Sequence, residues 1–123
     1  MNIEELFKYY KKYTIINKGE DYAIIGIPFF HFGHDEGIAI RLSDKNGQLI
    51  ISDCHTTTDY LDAEGIDLND YSDKLAVIMK KFGIFLDGNV FRMVIHDAEY
   101  IPALNRQIGY FVEAMSLIAH IDL

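Results

Sequence analysis

The side chains equipped for chemistry fall into three groups. The first is His31-Phe32-Gly33-His34-Asp35-Glu36, two imidazoles and two carboxylates within six residues. A borderline metal such as zinc accepts these ligand types. Two histidines three apart in a glycine-containing loop match no closed zinc motif, however, and a catalytic centre needs a third ligand and an open position. The plain reading is a polar loop between strands, so no metal and no cofactor are expected, with His31 and His34 as weak candidates only. The second group is Cys54-His55, with His96 before Asp97 further along. A cysteine nucleophile needs an imidazole within hydrogen-bond reach to form thiolate. Neighbours on a strand point to opposite faces, so Cys54 would need His31, His34 or His96 brought to it by the fold. No Gly-x-Ser-x-Gly elbow, phosphate-binding loop or dinucleotide fingerprint occurs, and no catalytic residue is expected.

The third group is a run of charge. No lysine or arginine lies between Lys45 and Lys74, while the interval holds Asp53, Asp59, Asp62, Glu64, Asp67, Asp70 and Asp73. The first 18 residues carry four lysines against two glutamates, so the remainder of a chain of net charge −8 stands at −10. Carboxylates spaced three apart can form one acidic surface, which would imitate phosphates and occupy a basic nucleic-acid groove on another protein, with electrostatic steering of the encounter. The plainer alternative is that acids decorate turns and helix starts and aid solubility. Lys8, Tyr9, Tyr10, Lys11, Lys12 and Tyr13 interleave base and aromatic, a pattern that suits nucleic acid. Tyr10 and Tyr13 fall on an apolar stripe, so core is expected there and no direct nucleic-acid contact.

The elements that must position these groups fit one domain spanning residues 1–123. Of 123 residues, 50% are hydrophobic and 24% charged, a globular composition. The acidic balance argues against a general nucleic-acid binder. No apolar run reaches the ~18–20 residues that span a bilayer. The N-terminus lacks the pattern of a secretory signal, and the one cysteine makes no internal disulfide, so a soluble, cytoplasmic protein is expected.

Asn2 and Glu5 form a capping-box pattern ahead of Ile3, Leu6, Phe7, Tyr10 and Tyr13 at helical spacing. Tyr22 to Ile27 reads as a central strand. Gly37 to Ser52 reads as a hairpin about Asp44-Lys45-Asn46-Gly47. Thr56-Thr57-Thr58 opens a short helix to Glu64, with a hydroxyl offered to the free amides, and Gly65 stops it. A second helix carries Tyr71, Leu75, Ile78, Met79 and Phe82, with Gly83 as its left-handed cap. Asp70 and Asp73 sit at its positive end, each stabilised there by roughly 0.3–1 kcal/mol. A second hairpin turns at Asp87-Gly88-Asn89. Pro102 fits the first turn of a long last helix whose Leu104, Ile108, Phe111, Val112, Met115, Ile118 and Ala119 line one face. Tyr110 and Leu117 widen its apolar arc toward a homo-oligomer seam. The order α-β-β-β-α-α-β-β-α predicts an α+β domain with a mainly antiparallel sheet of about five strands, covered by helices.

Pro28-Phe29, Gly37-Ile38-Ala39-Ile40, Leu49-Ile50-Ile51-Ser52-Asp53, Thr58 to Leu61 and Gly65-Ile66 resemble the family known as domain of unknown function 1828. The likeness continues through Leu75 to Phe82, Gly83-Ile84, Asp87-Gly88-Asn89-Val90, Phe111 to Leu117 and Ile121-Asp122-Leu123. In that family the second hairpin strand is usually followed by a turn of the type Thr-Asp-Asp-Gly. The matching stretch here is Ser52-Asp53-Cys54-His55, which keeps Asp53 and lacks the glycine. The family supplies no catalytic residues. The resemblance implies a small intracellular bacterial protein of prophages and other mobile elements.

Together these readings give a non-enzymatic interaction module. Its sharpest form is an anti-defence inhibitor, of the anti-CRISPR or anti-restriction type, that binds a host or bacterial nucleic-acid-binding enzyme through a DNA-mimicking acidic face. The alternatives are a metal- or cysteine-dependent enzyme built on His31, His34, Cys54 and His96, or a ligand-sensing or oligomeric structural subunit.

Overall fold

Two tight turns fix the register of the sheet. In the computed structural model, which describes residues 3–27 and 38–123, Lys45 pairs with Gln48. That leaves Asn46 and Gly47 as a two-residue loop with φ of 55° and 79°. Positive φ at both positions gives the turn whose twist matches that of the strands. The Asp44 carboxylate accepts the Gly47 amide at 3.1 Å. The strands so joined are β3 (Ile38–Lys45) and β4 (Gln48–Ser52). In the second hairpin Asp87 pairs with Val90, so Gly88, at φ 64°, and Asn89 connect β5 (Ile84–Asp87) to β6 (Val90–Ile95).

Among the described residues the sheet has six antiparallel strands in the order β1-β2-β3-β4-β6-β5, with β1 at Thr14–Lys18 and β2 at Tyr22–Ile27. The chain leaves β4 through α2 (Thr56–Ala63), one 3-10 turn (Leu68–Tyr71) and α3 (Ser72–Phe82). It returns by β5 at the far edge, and β6 then pairs with β4. Helices α1 (Ile3–Tyr9), α2 and α3 each contact α4 (Ile101–Ala119), which gathers the helices on one side of the sheet. There Ala23, Ile25, Ile40, Leu42, Ile51 and Phe91 are fully buried with Leu104, Phe111 and Met115. Burial of such side chains stabilises by about 1.5–3 kcal/mol each. All seven residues expected on the inner face of α4 are buried; Tyr110 and Leu117 are exposed.

The α+β reading holds, with one strand more than expected. The helical stripe through Tyr13 breaks after Tyr9, and Thr14-Ile15-Ile16-Asn17-Lys18 pairs as an edge strand. Its β-branched residues favour extended backbone, but all five are exposed, so no alternation of apolar and polar marks it in the sequence. Tyr13 is core as expected, and its hydroxyl donates to Asn105 Oδ1 at 2.5 Å. The cap assigned to Asn2 lies outside the described residues.

The opposite face of the sheet has a different chemistry. Ile24, Arg41, Ser52, Arg92 and Phe85 stand opposite one another across β2, β3, β4, β6 and β5 and form one row. Of these only Ser52 is buried.

Candidate functional site

The acidic interval begins with a residue that is not on the surface. Asp53 follows the last residue of β4 and is fully buried. Its Oδ1 accepts the amides of Phe91 at 3.0 Å and His55 at 3.1 Å, and its Oδ2 accepts the Thr57 amide at 3.1 Å. One carboxylate thus satisfies a free amide at the start of α2 and ties that helix to β6. Burial raises the Asp53 carboxyl above its ordinary value, and hydrogen bonds from Thr57, Phe91 and His55 oppose that rise. Asp53 therefore leaves the proposed face. The threonine hydroxyls do not cap amides either. Those of Thr56 and Thr58 donate to the carbonyls of Asp53 and His55 at 2.8 and 3.1 Å.

The chain reaches α2 through two consecutive left-handed residues, Cys54 at φ 53° and His55 at φ 57°. Glycine is the residue that adopts this conformation without strain, and neither position carries one. The His55 ring Nδ1 lies 2.8 Å from Asp59 Oδ2.

The other six acids, Asp59, Asp62, Glu64, Asp67, Asp70 and Asp73, are all exposed. They follow one another along α2, the 3-10 turn and the first turn of α3. Among the described residues, Asp59 is the only one of them in an ion pair, with His55. Asp67 accepts the Asn69 amide at 2.9 Å and so caps the 3-10 turn. Lys74 is the nearest cation in sequence, yet its ammonium donates to the carbonyls of Ile121 and Leu123 at 2.8 and 2.9 Å. Beside these acids is a cleft of about 550 Å³ whose lining includes Asp62 and Asp67 as well as Leu61, Ile66, Leu68 and Leu86.

Nucleophilic chemistry finds no assembly among the described residues. The Cys54 thiol lies 3.8 Å from the Ser52 hydroxyl and has no imidazole partner among the described residues. His96 is held at its backbone, whose amide donates to Gln107 Oε1 at 2.9 Å. No group of three or more metal-ligating side chains occurs among the described residues. His31 and His34 lie outside them. No helix of the described residues is long and apolar enough to cross a membrane.

Sequence reasoning missed two things. One is the anchoring role of Asp53; an acid placed just before a run of helix-starting threonines was its signal. The other is the juxtaposition of Arg41 and Arg92, which depends on β6 joining β4, a pairing that no local pattern states. No protein-family model, curated protein or solved structure matches the chain.

Proposed function

We propose that this protein is a non-enzymatic interaction module that uses Asp59, Asp62, Glu64, Asp67, Asp70 and Asp73 to engage a host or bacterial protein with a basic nucleic-acid groove. The observation that supports this reading is the series of exposed carboxylates in which, among the described residues, only Asp59 lies against a basic side chain, the His55 imidazole. Uncompensated charges of one sign attract a basic partner and raise its on-rate. The cleft beside Asp62 and Asp67 adds an apolar floor for a side chain of that partner. The resemblance to domain of unknown function 1828 adds the setting, a mobile-element protein acting in the cytoplasm, and makes an inhibitor of CRISPR nucleases or restriction enzymes the sharpest form.

A panel of purified bacterial nucleases of both types, each cutting its DNA with and without the protein, tests the proposal. Inhibition is expected for at least one, weakening as salt rises. The quadruple variant Asp62→Asn, Glu64→Gln, Asp67→Asn, Asp70→Asn is expected to inhibit at least about tenfold less well, since four lost interactions at ~0.4 kcal/mol each already exceed 1.4 kcal/mol. Equal inhibition by that variant with the same salt dependence, or no inhibition of any enzyme, overturns it.

A further inference from the structure

We infer that the open face of the sheet binds the phosphate group of a small molecule between Arg41 and Arg92. Register carries the argument. Arg41 pairs with Ser52, and Ser52 pairs with Arg92. Neighbouring strands lie about 4.8 Å apart, so the two arginine backbones stand roughly 10 Å from one another, with the buried Ser52 on the floor between them. Both side chains line one groove over that floor, and planar guanidinium forks suit the geometry of phosphate.

Both guanidinium groups are held in place by the fold yet under-used by it. Arg41 lies over the Tyr22 ring at 4.5 Å and spends its Nε on the Ser43 hydroxyl at 3.1 Å. Its terminal nitrogens have no partner among the described residues. The Arg92 side chain is only 29% exposed, and its Nε is buried with no hydrogen-bond partner among the described residues. Its one ion pair among the described residues is with the exposed Asp87 at 3.5 Å, too long for a good hydrogen bond. A half-buried cation with this little compensation is costly, and a bound anion removes that cost.

The surroundings share the sign. The two arginines line a groove of about 430 Å³ together with Lys45 and His55, and among the described residues no carboxylate lines it. In a chain of net charge −8 three permanent cations around one concavity do not follow from composition. The volume falls in the range of small-molecule sites, and Ile50 and Val90 supply an apolar wall for the organic part of the ligand. This inference does not rest on the acidic face.

Two-dimensional NMR titration of the intact protein with adenosine monophosphate, inorganic phosphate and adenosine tests it. Adenosine monophosphate is expected to shift the amides of Arg41, Ser52 and Arg92, and adenosine to leave them unmoved. Inorganic phosphate binding as tightly as the nucleotide assigns the same site to the free anion; weaker binding assigns it to an ester. Arg41→Gln and Arg92→Gln are each expected to weaken binding at least about tenfold, as loss of a charge-assisted hydrogen bond does. Arg41 is exposed, so its variant stands if Arg92→Gln fails to fold. Asp62→Asn with Glu64→Gln is expected to leave the affinity unchanged. Binding unaffected by Arg41→Gln, equal binding of adenosine, or no binding of either phosphate at millimolar concentration overturns the inference. So does a single-stranded oligonucleotide that binds the groove far more tightly than the mononucleotide.

Discussion

Asp53 offers the most exacting test of how this fold is held together. Its carboxylate accepts three amides, and those of Thr57 and Phe91 are buried. Asp53→Ala leaves both without an acceptor. An unsatisfied buried donor costs roughly 1–3 kcal/mol, and removing a desolvated carboxylate returns part of that, so a net loss of about 3 kcal/mol is expected. With a urea slope near 1.5 kcal/mol/M the unfolding midpoint falls by about 2 M. Asp53→Asn keeps the shape and one acceptor oxygen but faces an amide donor with another donor, and a loss of about 1–2 kcal/mol is expected. Its pH dependence carries the sharper information. Burial raises the Asp53 carboxyl, so the folded state holds the proton more tightly than the unfolded chain. The contribution of Asp53 is then complete below the ordinary value of 3.8 and declines as pH rises through the raised value. Asparagine does not titrate. The advantage of the wild type over Asp53→Asn, measured by urea unfolding with circular dichroism, is therefore larger at pH 4 than at pH 7. An advantage that shrinks on acidification would show that the amides outweigh burial and would refute the reasoning.

Two further outcomes follow from single residues. Gly83→Ala is expected to cost about 1 kcal/mol, because Gly83 ends α3 at φ 67° and an added Cβ would meet nothing within 4 Å; the penalty is backbone alone, read as a drop of roughly 3–6 °C in Tm, and an unchanged Tm contradicts it. Burial, with Tyr10 nearby, raises the Tyr13 phenol well above its ordinary value of 10.0, so its contribution to stability is present below that value and is lost as pH climbs beyond it. An absorbance titration of the phenolates is expected to show a late phase that coincides with unfolding and that Tyr13→Phe removes; a late phase that survives the substitution refutes the assignment.

How much of this was legible in the sequence depends on how local each signal is. Asn46-Gly47 states its turn in adjacent residues and Gly83 states its cap beside the stripe it ends, and both are where the structure has them. The Asp87-Gly88 signal marks the second turn one residue early, since Asp87 closes β5 and the loop is Gly88-Asn89. The α4 stripe was legible for the same reason, since seven apolar positions at helical spacing can only face a core. β1 was not, because an exposed edge strand buries nothing and leaves no alternation. Among the acids, charge is legible in the sequence and depth is not. Asp53 reads like the others, yet it follows the end of a buried strand, where its carboxylate finds three amides instead of water. The Arg41–Ser52–Arg92 row was invisible because it joins residues brought together only when β6 docks on β4.

The acidic face and the cationic groove meet at one pair of residues, and that junction shapes how each behaves in salt. His55 lines the groove, Asp59 opens the acidic series, and the two are joined at 2.8 Å. At physiological ionic strength charges separated by more than about 8 Å are largely screened, so an anion close to Arg41, Lys45 and Arg92 feels those cations far more than the net negative charge of the rest of the chain. At low ionic strength the far field returns and the whole acidic globule repels the same anion. Local attraction and global repulsion therefore change together at the groove and partly cancel, while at the acidic face local and global charge have one sign and act in concert on a basic partner. A steep loss of binding with salt is the mark of the acidic face, and a shallow one the mark of the groove.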